Sequence, residues 1–285
     1  MEGMHLTRKG NRADGKSIAV PLYQHQISMD ATRVELQILY HATARWDVIA
    51  RLPWERKVQS STFTVMEQAT TEQIASMARN IDIHHRDGAT QGMSDATVLA
   101  GRHYPNLFRR GDRLMVSGGV SLPTGATVEN PYILGAQGIE HSHIQFGSGT
   151  VDPIFESWYV VPIHRALSAA AFLSARWPLY ENSRTFKAAP EATVSASAMQ
   201  PIGDRVSVRA ELMTYVQGYG YWNGVRDENM TGLLSTSAGL GASYRIGGVA
   251  LSIDGRYPIA QRTLLPGDTF KRGTTIVLNV SGRAR

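Results

Sequence analysis

The sequence predicts an all-β fold, an antiparallel up-and-down transmembrane β-barrel of about twelve strands. Three observations point there. About eleven segments of roughly ten residues alternate apolar and polar side chains with a period of two. Glycine, proline and asparagine mark the breaks between them. The links alternate between short and long, as the two rims of such a barrel require.

Taken in order, Arg33 to Tyr40 sets Val34, Leu36, Ile38 and Tyr40 against Arg33, Glu35 and Gln37. Trp46 to Trp54 sets Val48, Ala50 and Leu52 against Asp47 and Arg51. Fainter alternation marks Met93–His103, Leu114–Leu122, Val151–Val161, Ala166–Trp177, Ala192–Met199 and Gly273–Ser281. In Asp204 to Thr214, Val206, Val208, Ala210 and Leu212 oppose Arg205, Ser207, Arg209 and Glu211. The clearest strand is Leu234 to Ile246, whose second face holds Ser235, Ser237, Gly239, Gly241, Ser243 and Arg245. A helix would scatter these two sets around its axis; a strand separates them. Gly247-Gly248 then turns the chain into Val249–Pro258.

Tight links fall at His41–Ala44, Pro162–Arg165, Pro201–Asp204 and Ile246–Gly248, which places them at the periplasmic rim. Long links at 58–90, 124–149, 217–231 and 260–271 belong to the outside, and within the first of them Val65–Arg79 contains good helix formers. The whole of 1–285 reads as one barrel domain, with 58–90 and 124–149 as long extracellular loops. MEGMHL reads as the tail of a twelfth strand whose beginning is largely missing, which makes an odd count even. No secretion signal is written at the start, so a signal peptide is expected upstream of Met1.

Hydrophobic residues make up 42% and charged residues 19%, which fits a folded chain and not a disordered one. No apolar run is long enough for a transmembrane helix. The absence of cysteine removes disulfides, thiol nucleophiles and cysteine-ligated metals. The net charge of +5 comes from singly scattered basic residues, so no nucleic-acid partner is expected.

Gly119-Val120-Ser121-Leu122-Pro123-Thr124-Gly125 is followed by Ile144-Gln145-Phe146-Gly147-Ser148-Gly149-Thr150-Val151-Asp152. This pattern resembles the outer-membrane channels of the MetA-pathway of phenol degradation type, in which a strand ends in a Pro-Thr-Gly turn and a Gly-Ser-Gly-Thr segment precedes an Asp. The resembling residues are Pro123, Thr124, Gly125, Gly147, Ser148, Gly149, Thr150 and Asp152. Ile38–Trp54 is similar to that family too, and Met1-Glu2-Gly3 looks like the end of its first strand. The resemblance implies a barrel of about twelve strands in the bacterial outer membrane, importing small aromatic or hydrophobic compounds passively. The chain departs from outer-membrane barrels at its end, Val280-Ser281-Gly282-Arg283-Ala284-Arg285, which lacks a terminal aromatic residue.

With apolar faces toward lipid, the lumen receives Arg33, Glu35, Asp47, Arg51, Asp95, Arg205, Arg209, Glu211, Arg245, Asp254 and Arg256. These residues either pair with one another and stiffen a closed barrel or set the charge selectivity of a pore. The expected function is a channel for small solutes; the alternative is a closed structural or interaction barrel whose loops bind a partner. Lipid and small molecules are the expected partners, no catalysis, cofactor or metal is expected, and the oligomeric state is open. Gly10–Ser17 matches G-x-x-x-x-G-K-S, but no buried strand precedes it, and Ser17–Ser28 reads as extended rather than helical, so a surface loop is expected. His84, His85 and Asp87, and His141 with His143, lack a third fixed ligand within such short spacing and read as loop histidines without metal, a weak loop metal site being the alternative. His103 with Ser117 or Ser121 on adjacent strands is a conceivable hydrolytic pairing, but with many serines and nine histidines such a pairing is expected by chance, and no G-x-S-x-G accompanies it.

Overall fold

The computed structural model describes residues 2–164, 166–227, 231–264 and 271–282. The chain enters on β1 (Glu2–Asn11), turns tightly, and continues in β2 (Ser17–His41) and β3 (Trp46–Val65). Helix α1 (Thr71–His85) and β4 (Gly88–Met93) come next, followed by β5 (Ala96–Pro105), β6 (Arg113–Leu122), the short α2 (Pro131–Ala136), β7 (Asp152–His164) and β8 (Leu167–Arg176). After β9 (Phe186–Lys187) the chain runs through β10 (Glu191–Ile202), β11 (Val206–Gln217), β12 (Gly220–Trp222), β13 (Val225–Asp227), β14 (Leu233–Ile246), β15 (Val249–Thr263) and β16 (Thr275–Gly282).

Twelve of these form one antiparallel path, β1-β2-β3-β5-β6-β7-β8-β10-β11-β14-β15-β16, with β4 paired to the upper part of β3. β9, β12 and β13 make a separate three-stranded sheet. Every connection in the path joins sequence neighbours, which is the up-and-down barrel architecture the alternation predicts. The two ends meet in one bridge, Glu2 with Lys271, with backbone bonds of 3.0 and 2.8 Å. Below it, among the described residues, Met29–His41 pairs with β3 alone and β16 with β15 alone, so no continuous ladder among them closes the sheet.

Three expectations need correcting in their boundaries. The strand expected over Arg33–Tyr40 is only the lower part of β2, whose upper half is the extended segment Ser17–Ser28, paired with β1 from Glu2↔Ser28 to Asn11↔Ser17. β3 continues through Val65, so the connection expected from 58 starts at Met66. The helix expected over Val65–Arg79 begins at Thr71, because Thr70 caps it: its hydroxyl accepts from Gln73 N (3.3 Å), and the Gln73 side chain accepts from Thr70 N (2.8 Å). The expected links at 217–231 and 260–271 contain residues 228–230 and 265–270, which lie outside the described residues, as do Met1, Arg165 and Arg283, Ala284 and Arg285.

The length of β2 explains the first miss. From Tyr23 to Asp30 the buried positions are Tyr23, His25, Ile27 and Met29, and Gln26, Ser28 and Asp30 are exposed. Beyond Asp30 the same two faces exchange polarity: Val34, Leu36, Ile38 and Tyr40 take the outer face, and Arg33, Glu35 and Gln37 the inner. β3 repeats this in register, with Val48, Leu52 and Trp54 outside below and Arg56, Ser60, Thr62 and Thr64 outside above. The switch falls where Val34 pairs with Trp54, as expected where a strand leaves hydrocarbon and enters water. On the far wall Leu240, Ile253, Ile276, Leu278 and Val280 are all more than half exposed, and such a belt is stable in lipid, not in water. No described helix is long and apolar enough to cross a membrane.

α1 lies against β1, β2 and β3. Its Met77 and Ile81 pack with Val20 and Tyr23, flanked by Phe63 and Val65, the main buried apolar cluster. The upper half of the barrel therefore has a globular-type core, and the lower half a polar interior.

Candidate functional site

The polar interior is held together by ion pairs between strands. Arg33 binds Glu55 at 3.0 Å and also reaches Glu35, while Lys57 reaches Glu55 at 3.0 Å. Arg51 makes two bonds to Glu156, of 2.6 and 2.8 Å, and a third to Gln37. Arg176 sits between Glu191 (3.3 Å) and Asp152 (4.0 Å). Of these groups, Arg33, Arg51, Glu55, Lys57, Glu156, Arg176 and Glu191 line a cavity of about 530 Å³ bounded by residues of β2, β3, β5, β6, β7, β8, β10 and β11.

On the far wall, Arg209 bonds Asp254 at 2.7 Å and Arg256 bonds Glu211 at 2.8 Å. In the register Arg209–Gly241–Asp254 and Glu211–Gly239–Arg256, each pair straddles a glycine of β14. A Cβ on Gly241 would stand 1.8 Å from an Asp254 carboxylate oxygen. The small residues on the polar face of that strand therefore leave room for charges from both neighbours to meet.

The other expected lumen residues divide. Asp47 is buried near the short-turn rim between His41 (2.8 Å) and His103 (2.6 Å). Arg205 and Arg245 are exposed where the turn before β11 meets the end of β14, linked by Arg245 N to Arg205 O at 2.8 Å; neither lines the cavity. Asp95 borders the cavity, but its carboxylate is engaged elsewhere. It accepts from Gly125 N (3.0 Å), Ser148 N (2.7 Å) and Ser148 Oγ (2.9 Å).

Asp95 is thus the anchor of a latch built from the Pro123–Gly125 and Gly147–Asp152 segments. Thr124 Oγ1 donates to Ser94 O and accepts from Ala96 N; Thr150 Oγ1 donates to Asp152 at 2.6 Å. Gly125 and Gly147 touch backbone to backbone, with no room for a Cβ on either. Gly149 holds φ +70°, a conformation that favours glycine. Pro123 precedes this turn. The latch folds 123–151 inward, so Gln145 and Phe146 face the cavity and Lys57 bonds Gln145 O at 2.8 Å, its ammonium 4.8 Å from the Phe146 ring centre.

Glu55, Lys57, Glu156, Arg176 and Glu191 were missed by the sequence reading. Glu156 was findable, since it is the one acidic residue inside the apolar run Ile154–Val161.

Above the latch lies a second cavity of about 500 Å³ between α1, the upper halves of β1 and β2, and the segment after α2. It gathers His5, His25, His84, His85, His141 and His143. The histidines at 84–85 and 141–143, separated in sequence, are joined by two more from strands. Asp87 is not with them; its carboxylate accepts from Ser61 N and Oγ. Burial pushes His84 down to about 4, His85 to about 2 and His143 to about 3, each helped by neighbouring imidazoles, so these three are neutral at physiological pH.

The other chemical readings resolve simply. Gly10–Ser17 is a β-hairpin turn closed by Arg12 N to Lys16 O (2.9 Å), with strand β2 and not a helix following. His103 bonds Asp47, and the Ser117 hydroxyl has no hydrogen-bond partner.

No family model matches the chain, and no curated protein matches it in sequence. Among solved structures it is similar to the COG4313 outer membrane channel from Pseudomonas putida F1, with TM-score 0.56 and 13% identity over 98% of this chain and 90% of that one. At that identity the likeness bears on fold, and it agrees with the strand path: this chain has the fold of an outer-membrane β-barrel.

Proposed function

We propose that this protein is a channel of the bacterial outer membrane that passes small solutes passively, aromatic or hydrophobic compounds among them. The observation that carries this reading is the exchange of polarity along β2 and β3 at Val34 and Trp54, with an apolar belt outside and a charged cavity inside. The channel named in the similar structure supports it, as do the paired charges Arg51–Glu156 at the cavity wall and Arg209–Asp254 on the far wall. Arg33, Glu35, Arg51, Arg209, Glu211, Asp254 and Arg256 are proposed to line the route, with the connection 66–87 and the loop 124–149 on the external side. In planar bilayers the refolded protein should give discrete ionic current, and aromatic solutes of phenol size should enter liposomes containing it faster than empty ones. A folded, membrane-inserted chain with no current sinks the channel.

A second reading, a closed structural or interaction barrel, is favoured by the latch and by α1, which fill the upper interior. It expects no current from the intact chain.

A further inference from the structure

Six of the nine histidines of this chain meet in one cavity at the barrel mouth. They fall into two groups, His5/His25/His85 and His84/His141/His143, in each of which one ring nitrogen per residue lies within 4.8 Å of the others.

The two groups differ in what they already do. His141 is held in place: its Nδ1 lies 2.8 Å from Ile139 O and its Nε2 3.1 Å from His84 Nδ1. That sets one tautomer, with Nδ1–H donating to the carbonyl and Nε2 accepting from His84. His25 is in the opposite condition. It is 2% exposed, and neither of its ring nitrogens has a hydrogen-bond partner. A buried imidazole with two unsatisfied nitrogens is costly to keep unless something else uses them.

The position of its neighbours says what that is. His5 is the direct cross-strand partner of His25, with ring centres 4.5 Å apart. His85, in the last turn of α1, closes over both at 5.5 and 5.7 Å. All three ligands therefore sit on regular elements, which hold donor geometry better than loops do. The described cavity wall contains no carboxylate, and Lys9 is its other charged residue. Three imidazoles without oxygen donors suit a borderline transition metal and are wrong for calcium or magnesium.

We propose that His5, His25 and His85 bind one divalent transition-metal ion of the zinc class, with water completing a tetrahedral shell, and so fasten the end of α1 to the β1–β2 hairpin. Bringing the nitrogens to about 2.1 Å from an ion requires only a small inward movement of side chains. A second ion at His84/His141/His143 is disfavoured: it would break the His84–His141 bond and place two dications side by side with no carboxylate to offset them. Metal binding here is independent of whether solutes pass the barrel, so its readouts are kept apart from conductance.

The test uses untagged full-length chain in detergent, stripped with EDTA, loaded with ZnCl2 and desalted. Wild type should retain one zinc per chain and melt higher with zinc than without. His25→Ala and His5→Ala should each weaken zinc binding more than about 100-fold, since loss of a group that merely orients a ligand costs up to about that much. His141→Ala and the remote His164→Ala should retain the ion. Because His25→Ala leaves a buried hole, His25→Phe is made beside it, and near-ultraviolet circular dichroism of each apo variant must match wild type. Retention of no zinc or of two, or retention unchanged in both the His5 and His25 variants, overturns the proposal. So does loss in His141→Ala with retention in His25→Ala.

Discussion

Arg51 on β3 and Glu156 on β7 form a two-bond ion pair, 2.6 and 2.8 Å, across the two strands that separate them in the barrel. Their side chains are 20% and 5% exposed, so the pair spans the interior and not the surface.

Removing one partner should therefore strand a buried charge. Arg51→Ala or Glu156→Ala is expected to cost about 3–5 kcal/mol, whereas the double replacement Arg51→Met with Glu156→Leu should come close to wild type. Urea unfolding followed by tryptophan fluorescence measures both. If the single variants unfold like wild type, the pair is not the cross-brace described.

Asp95 holds the latch through three hydrogen bonds. Asp95→Ala should cost about 2–4 kcal/mol, since bonds to a charged acceptor contribute about 1.5–3 kcal/mol each and water replaces part of them. The loop it anchors should open to protease. Chymotrypsin is the suitable probe, because 124–151 contains Tyr132 and Phe146 and no lysine or arginine. Cleavage there should rise in Asp95→Ala, and bilayer conductance should rise with it.

Leu240 is 74% exposed on the outer face of β14. In a bilayer, Leu240→Arg should destabilise by about 2–4 kcal/mol, and Gln26→Arg, on the outer face of upper β2, by no more than about 1 kcal/mol. Equal effects would remove the membrane boundary placed near Val34 and Trp54.

Asp112 closes the turn 106–112 by accepting from the backbone N–H groups of Leu107, Phe108 and Arg109 and from the Tyr159 hydroxyl. Burial pushes its carboxyl up, but the backbone bonds from Phe108 and Arg109, with Tyr159, more than offset this and hold it below the usual carboxylate range. Glu67, paired with Arg8 and accepting from Leu22 N, is held at about 2. The sign follows from proton binding: the unfolded chain takes up protons first, so this stability is present above the ordinary carboxylate value and lost as pH falls from there toward about 2. Melting temperature should drop through that window, and Asp112→Asn and Glu67→Gln should each flatten the drop while lowering stability at pH 7.

The strand order and most strand positions were legible because a period of two is a local property: Leu234–Ile246 and Val249–Pro258 announce their faces residue by residue. Val34, Leu36, Ile38 and Tyr40 could likewise be given a side without any partner in view. The upper half of β2 was lost for the complementary reason. A reading tuned to apolar residues outside does not register a strand whose outer face is Gln26, Ser28 and Asp30, and only the helix packed inside explains why Val20 and Tyr23 are buried there. Asp95 looked like a lumen charge because sequence gives a side chain its face but not its partner; the two glycine-rich segments that claim it arrive from 30 and 53 residues away. The histidines show the same divide most sharply. The sequence by itself determined alternation, turns and inside-outside polarity, which depend on neighbours along the chain. Tertiary structure alone decided that His5, His25 and His85 share one cavity, because the closeness of β1, β2 and α1 is a property of how the barrel wall curves around its helix.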